Sequence, residues 1–499
     1  MAEAAAAGQR RVGLAYWMHE VLDQCAKAAV DFTSDPVHDL RTALRRCRSL
    51  ADGITVFDPD PAWKKMRKAG KQLFSRLGDL RDTQVMRRWV ETLAPEPDSV
   101  AKSLTDFLAA QEPRLKKAAA TTLQNFDVQQ WQAWASELPS RAARISPDTP
   151  VFAHLALERW HEARLLHRRA SRNRGNTTFH DLRIGLKRFR YTVENFLPTL
   201  HSAWGKDIKD LQDLLGEVHD FDVLWQTAVN IKAFPDPEIR ARWRSRIVQE
   251  RQQRLDAYRA KASTMAKRDG CYSLWSTWRT ALPRPEELRS LALERLEIWA
   301  SFHDSGVTHV RHVSGLALQL YDRIAFEGIP RGSQPETYRH ILQAAALMHH
   351  VGRRRGTKIK IKTAHHKRSA RLIRQLAPPL GWTADELRLT ALVARYHRGA
   401  LPRQTQRNFG ALPASQQRLV QFLGGLLRLA CGFDHHHDGQ IRSLQVECLD
   451  PVLTIEADGY TEYTSIAEHL AAARHLLELA CHRPIFILPR KAQSQPHAA

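Results

Sequence analysis

The sequence predicts a mainly α-helical protein in which a duplicated helical bundle precedes a second helical domain with a small αβ C-terminal end. Three observations support this fold class. The chain has 499 residues, which is too long for a single hydrophobic core. Apolar residues recur at helical spacing, and strand-like alternation is nearly absent before residue 440. A basic motif also occurs twice in the first half.

The domain boundary is expected near residue 283. Gly270, Pro283 and Pro285 interrupt the helical pattern there. We therefore expect one domain over 1–283 and a second over 284–499. After residue 440, the segments SLQVECL, VLTIEA and PIFIL have the pattern of strands, and TSIAEHLAAARHLLELA has the pattern of a helix.

The charge of the chain indicates an anionic partner. There are 75 Lys and Arg residues against 53 Asp and Glu, a formal net charge of +22. Such an excess is typical of proteins that bind nucleic acid, a membrane surface or polyphosphate. The sequence contains no apolar run of about 20 residues, no signal-peptide core at its start and no Cys pair at CxxC spacing. We therefore expect a cytoplasmic protein without membrane contact, and an oligomer is compatible with the sequence.

The first half contains an internal duplication. The motif VHDLRTALRRCRS begins at Val37, and FHDLRIGLKRFRY begins at Phe179. Each is followed by a related segment, LGDLRDTQVM from Leu77 and LGEVHDFDVL from Leu215. Two matches in the same order predict a pseudo-symmetric pair of helical units.

Each motif places basic side chains along one helix face. At about 100° per residue, positions 38, 41, 45 and 48 fall within a stripe roughly 80° wide. The two predicted stripes are His38, Arg41, Arg45 and Arg48, then His180, Arg183, Lys187 and Arg190. A single stripe of this kind is often a solvated surface. The repetition, and the lack of acids between Thr42 and Leu50, favour a bound polyanion.

A second basic helix follows the first motif. Lys64, Lys68 and Lys71 are spaced to share one face. They are either further anion contacts or part of an ordinary amphipathic surface helix.

On these motifs, residues 10–280 resemble a CHAD domain, the conserved histidine α-helical domain. The resemblance implies an all-helical, two-fold pseudo-symmetric bundle that binds inorganic polyphosphate in a central basic groove. His38 and His180 match the histidines of the family name, and Arg81 is replaced by His219 in the second half. Carried over by position, the groove residues are Arg41, Arg45, Arg46, Arg48, Arg183, Lys187, Arg188 and Arg190.

The second half resembles an HD domain, and specifically the C-terminal helical domain of the exopolyphosphatase and guanosine pentaphosphatase family. By position His312 matches the first histidine and His349 the second, but the His-Asp pair reads His349-His350. The late acidic motif has Cys431 at its first acid and retains Asp434. A dinuclear hydrolase needs carboxylates to balance its metal charge. We therefore expect no cofactor, although His312, His349 and Asp434 are weak candidates for one divalent metal ion.

A basic segment in the second half is a candidate second anion site. From Arg353 to Arg374 there are ten Lys and Arg residues and no acid. The alternative is a plain basic loop between helices. The candidate residues are Arg353, Arg354, Arg355, Lys358, Lys360, Lys362, His366 and Lys367.

These patterns together predict a bacterial polyphosphate-binding protein, with association with polyphosphate granules as one option. Its second domain is expected to be non-catalytic. The main alternative is a metal-dependent phosphohydrolase that acts on polyphosphate or a phosphorylated guanosine nucleotide. RNA binding is a weaker option, because few aromatic residues interleave with the basic stripes.

Overall fold

The computed structural model divides the chain into two compact units, which meet between Arg284 and Pro285. We call residues 1–284 unit 1 and residues 285–499 unit 2. The part of the chain that the structure describes comprises residues 13–30, 34–94, 98–173, 175–263, 273–303, 306–324, 335–353, 365–449, 451–462 and 465–490. Helices dominate both units, and the sequence-based prediction of a mainly α fold is confirmed.

Unit 1 is helical throughout its described residues. Its helices are α1 (Leu14–Val30), α2 (Ser34–Ile54), α3 (Pro61–Leu93), α4 (Ser99–Gln124), α5 (Val128–Ala142), α6 (Pro150–Arg172), α7 (Asn176–Phe196), α8 (Pro198–Asn230), α9 (Pro237–Ala262) and α10 (Leu274–Thr280).

The duplication in the sequence is also a duplication of helices. Helices α2 and α7 both have 21 residues, α3 and α8 both have 33, and α4 and α9 both have 26. Consecutive helices pack against each other in both repeats, and α2 also packs against α7. The two basic motif helices are therefore neighbours in unit 1.

Local sequence signals explain where these helices begin and how they pack. The Asp60 carboxylate accepts a hydrogen bond from the Ala62 N–H, and Pro61 occupies the first turn of α3. Asp236 and Pro237 repeat this arrangement at α9. The apolar faces of the two motif helices are fully buried, at Leu40, Leu44, Cys47, Leu182, Leu186 and Phe189. Their basic faces are consequently turned away from the core.

Unit 2 packs its helices around one buried core. They are a 3₁₀ turn (Pro285–Glu287), α11 (Leu288–His303), α12 (Val307–Arg323), α13 (Glu336–Met348), α14 (His365–Arg374), α15 (Ala384–Tyr396), α16 (Arg407–Gly410), α17 (Ala414–Phe433) and α18 (Ser465–Cys481). Helix α17 contacts α12, α13, α15 and α18. At Gly425 a Cβ atom would lie 2.9 Å from the backbone of Leu477, so glycine permits the close approach of α17 and α18.

A three-stranded sheet completes unit 2 among the described residues. Its strands are β1 (Leu444–Leu449), β2 (Val452–Ala457) and β3 (Ile485–Pro489). Strands β1 and β2 are antiparallel, whereas β3 is parallel to β2 and follows it after α18. The αβ end predicted from the sequence is present.

Candidate functional site

A cavity of about 450 Å³ opens between the two motif helices of unit 1. Its lining contains six cationic side chains and one carboxylate. We call it the basic cavity. Its charged and aromatic lining residues are Arg45, Arg48, Asp52, Arg67, Phe74, Arg159, Lys187, Arg188 and Tyr191.

Lys187 is a cation of the basic cavity whose pKa lies below that of an ordinary lysine. Burial is the main cause that lowers its pKa to about 8. The charged groups that act on it most strongly are the cations Arg183, Arg45, Arg48 and Arg190, which lower the pKa further. An ammonium group in such surroundings is stabilised when an anion enters.

Arg45 and Arg48 of α2 are two further cations that line the basic cavity. The Nε atom of Arg45 is buried and makes no hydrogen bond within the described structure. Burial lowers the pKa of Arg48, which Asp52 partly offsets. Asp52 is already ion-paired with Arg67. The single carboxylate of the lining therefore leaves a net positive cavity.

The two aromatic rings of the basic cavity are covered by cations. The Arg48 guanidinium lies 5.0 Å from the ring centre of Phe74, and the Lys187 ammonium lies 5.9 Å from that of Tyr191. Cations on these faces are stabilised by the π-systems. The same faces are then not open to a stacked base.

Several residues predicted for the groove have protein partners instead. Arg46 lies on another side of α2 from the stripe, and its ion pair with Glu194 spans 2.6 Å. Arg190 contacts the same carboxylate at 3.7 Å. Arg41 donates hydrogen bonds to the Leu77 and Gly78 carbonyls. These guanidinium groups join helices, and none of them lines the basic cavity.

Other predicted residues are exposed or lie near carboxylates. His38 and His180 are exposed, as are Lys64, Lys68 and Lys71, and none lines the basic cavity. Arg81 hydrogen-bonds Gln84. Arg183 lies near Asp220, and burial raises the pKa of Asp220 to about 6 although Arg183 opposes this. Arg188 lines the basic cavity and also pairs with Glu162 at 2.8 Å.

Sequence reasoning missed two cations of the basic cavity. Arg67 belongs to the basic run of α3, in which helical periodicity favours the i, i+4, i+7 lysines instead. Arg159 lies on α6, outside the duplicated motif, and no pattern in the sequence marks it. Both reach the cavity because α3 and α6 pack beside the motif helices.

Unit 2 brings five histidines together from four places in its chain. We call His309, His349, His350, His365 and His397 the histidine cluster. Ring nitrogens of His309, His349 and His350 lie within 4.8 Å of one another, and so do those of His350, His365 and His397. His309 comes from α12, His349 and His350 follow α13, His365 begins α14, and His397 follows α15.

A tight turn holds α13 against α14. The Gly352 N–H donates to the Ser369 hydroxyl, which in turn donates to the His349 carbonyl. A Cβ atom on Gly352 would collide with the His365 carbonyl and the Ser369 nitrogen. Glycine at this position therefore allows His349 and His350 to reach His365.

Backbone and carboxylate oxygens orient three of the imidazoles. The Nδ1 atoms of His349 and His397 lie 2.5 Å and 2.6 Å from the carbonyls of Ala346 and Ala394, and that of His309 lies 2.6 Å from Asp434 Oδ2. Only a protonated Nδ1 can donate to the two carbonyls, so the Nε2 atoms of the neutral His349 and His397 carry a lone pair. The Nε2 of His349 is fully buried without a hydrogen-bond partner in the described structure.

The histidine cluster differs from the site expected from the sequence. His309, one helical turn before His312, is the histidine that contacts Asp434. Periodicity cannot separate these two positions, because both lie on one face of α12. Although burial opposes it, hydrogen bonds from His309 and the Gly439 N–H lower the pKa of Asp434. The donor set does not fit a carboxylate-bridged pair of hard metal ions, because imidazoles outnumber carboxylates.

A pocket of about 280 Å³ adjoins the histidine cluster. Arginines and histidines line it, among them Arg353, Arg398 and Arg428. Of the predicted second anion site, Arg353 lies here, whereas His366 is buried and Lys367 is exposed. Arg354, Arg355, Lys358, Lys360 and Lys362 lie outside the described residues.

Comparison with known proteins identifies both halves of the chain. Residues 18–229 match the family model of the CHAD domain, and residues 289–473 match that of Ppx/GppA phosphatase, domain III. The crystal structure of the CHAD domain from the plant Ricinus communis is similar at 22% sequence identity and a TM-score of 0.39, covering 50% of this chain and 88% of that chain. No curated protein matches.

No helix in the described part of the chain combines the length and apolarity needed to cross a bilayer. The two family matches follow one another along the chain and occupy different compact units. The chain therefore carries a CHAD domain followed by a domain of the Ppx/GppA domain III family.

Proposed function

We propose that this protein binds inorganic polyphosphate in the basic cavity of unit 1. The observation that carries the proposal is Lys187, a half-buried ammonium in a cavity lined by five other cations and one carboxylate. Burying like charges together is costly unless an anion accompanies them. A linear polyanion supplies this charge, and arginine binds phosphate oxygens with paired donors.

The cavity favours a polyanion without bases over RNA. Its two rings, Phe74 and Tyr191, each have a cation against them, Arg48 and Lys187 respectively. Single-stranded nucleic acid normally gains affinity from stacking on free aromatic faces. We therefore expect long-chain polyphosphate to displace bound single-stranded RNA at lower concentration than RNA displaces polyphosphate.

The proposal is tested by titrating the full chain with polyphosphate of defined length. Arg45→Gln with Lys187→Gln removes two cavity cations. At about 1.5 kcal/mol for each charge-assisted contact, affinity should fall roughly 100-fold. A matched control, Arg242→Gln with Arg244→Gln, removes two exposed cations of α9 and should change affinity by less than about threefold. Equal losses in both variants would show that only overall charge matters and would refute the cavity.

We also propose that the protein binds polyphosphate without hydrolysing it. In unit 2, His350 and Cys431 stand where a hydrolase of the expected kind needs carboxylates to hold and balance its metals. Purified protein with Mg²⁺ or Mn²⁺ should release no orthophosphate from polyphosphate or guanosine pentaphosphate. Turnover that His349→Ala abolishes would replace this proposal with the phosphohydrolase alternative.

A further inference from the structure

We propose that the histidine cluster of unit 2 binds one divalent metal ion of the nitrogen-preferring kind, Zn²⁺ in the first instance, through His350, His365 and His397. This site is separate from the basic cavity and does not depend on polyphosphate binding. Three imidazoles with one exchangeable position form a common zinc environment in proteins. Nitrogen donors also disfavour Mg²⁺ and Ca²⁺, which prefer oxygen.

The distance between two ring nitrogens supports a shared ion. The Nε2 atoms of His365 and His397 lie 3.3 Å apart, so that without an ion one ring donates a hydrogen bond to the other. Zn–N bonds of about 2.1 Å at tetrahedral angles place two nitrogens about 3.4 Å apart. The third nitrogen, from His350, lies within 4.8 Å of both. Small side-chain rotations therefore suffice to bring all three onto one ion.

A hydrogen bond from one ring nitrogen of a neutral histidine leaves the lone pair on the other nitrogen, where a metal ion can bind. The Nδ1–H of His397 donates to the Ala394 carbonyl, which leaves Nε2 as the ligand atom. Such a backbone partner is the usual support for a metal-bound histidine. His349 is held in the same way by Ala346, and its buried Nε2 has no hydrogen-bond partner in the described structure.

The surrounding charge indicates what occupies the exchangeable position. His350 and His397 line the 280 Å³ pocket together with Arg353, Arg398 and Arg428. These guanidinium groups oppose a bare cation but favour a cation that carries an oxyanion. The fourth ligand is therefore a phosphate-type oxyanion from the pocket.

A single ion is expected because both triplets of the cluster share His350. One neutral imidazole donates one lone pair. Chelator-stripped protein dialysed against Zn²⁺ should retain about one ion per chain by elemental analysis. Two tightly held ions, or none, would overturn the proposal.

The ligand assignment is tested by substitution and with Co²⁺ as the spectroscopic probe. His365 is only partly buried, so His365→Ala should keep the fold, as judged by circular dichroism. It should weaken Zn²⁺ binding more than roughly 100-fold and abolish the rise in Tm that Zn²⁺ gives the parent protein. The exposed His475→Ala is the matched control and should bind normally. If His309→Ala abolishes binding and His365→Ala does not, the other triplet is the site and the assignment is wrong.

Visible absorption of the Co²⁺-loaded protein reports the fourth ligand directly. The parent protein should show the intense bands of a four-coordinate nitrogen-rich site, and inorganic phosphate should shift them. Bands that saturating phosphate leaves unchanged would overturn the oxyanion assignment.

Discussion

At the residue scale, Lys187 links the chemistry of the basic cavity to pH. Its pKa of about 8, set by burial and then by neighbouring arginines, lies far below that of an ordinary lysine. The ammonium is charged below this pKa and becomes neutral as pH rises through it. The cavity therefore loses a cation within an accessible pH range.

We predict that polyphosphate affinity falls as pH is raised from 7 to 9. The loss of one charge-assisted contact should cost about 1.5 kcal/mol, roughly a tenfold rise in Kd. Lys187→Arg should flatten this dependence, because a guanidinium stays protonated throughout. Isothermal titration at several pH values measures both. Identical pH profiles for the two proteins would exclude Lys187 as the titrating contact.

Arg141 and Asp58 form an ion pair in unit 1 whose contribution to the free energy of unfolding can be measured. Asp58 is fully buried, and its carboxylate accepts hydrogen bonds from Arg141 at 2.6 Å and 2.7 Å and from the Trp63 indole at 2.8 Å. The hydrogen bond to Asp58 is the main cause that raises the pKa of Arg141. Their pairing joins α5 to the start of α3.

Arg141→Ala should destabilise unit 1 by about 3–5 kcal/mol, because it leaves a buried carboxylate without its cation. Urea unfolding followed by circular dichroism measures the change. Lys209→Ala, which removes the exposed pair with Asp213, should cost less than about 1 kcal/mol. A loss of under 1 kcal/mol for Arg141→Ala would show that water reaches Asp58.

At the scale of elements, the turn between α13 and α14 assembles the histidine cluster. Gly352 contacts the backbone at His365 and Ser369, where no side chain fits. By contrast, Gly315 of α12 has open space where a Cβ would be placed. The two glycines form a matched pair for substitution.

Gly352→Ala should destabilise unit 2 by about 1–3 kcal/mol, because overpacking forces the backbone apart. Gly315→Ala should instead stabilise it by up to about 1 kcal/mol, as alanine favours a helix interior. Thermal unfolding of both variants shows whether each substitution raises or lowers Tm. If Gly352→Ala leaves the stability of unit 2 unchanged, α14 can move away from the turn without a loss of free energy.

At the scale of the whole molecule, the net charge of +22 leads us to expect that salt is the main control on the proposed polyphosphate binding. Neutralising a linear polyanion releases its counterions, and log affinity then falls linearly with log salt. The slope of log affinity against log salt is proportional to the number of phosphate contacts. The net charge of the chain does not give that number.

We predict a steep linear salt dependence for polyphosphate binding. Arg45→Gln with Lys187→Gln should reduce the slope by roughly 1 to 2, as two contacts are lost. The Arg242→Gln, Arg244→Gln control should keep the parent slope. Titrations at four or more salt concentrations provide these values, and salt-insensitive binding would contradict the electrostatic account.

The sequence by itself determined the helical class, the duplicated bundle, the αβ end and the two family resemblances. Those features depend on local periodicity, on turn residues and on a repeated motif, all of which lie in the order of residues. It also singled out Arg45, Arg48 and Lys187, because the repeated motif places Arg45 and Arg48 on one basic stripe and Lys187 on the other.

Only the tertiary structure decided which cations share a cavity and which histidines meet. Arg46 and Arg48 are two positions apart, yet one is paired with Glu194 and the other lines the cavity, because they leave α2 in different directions. Arg159 joins them from a helix far away in sequence. His309 rather than His312 reaches Asp434, and His365 reaches His397, through packing between helices. Such contacts depend on how helices cross, which local periodicity does not encode.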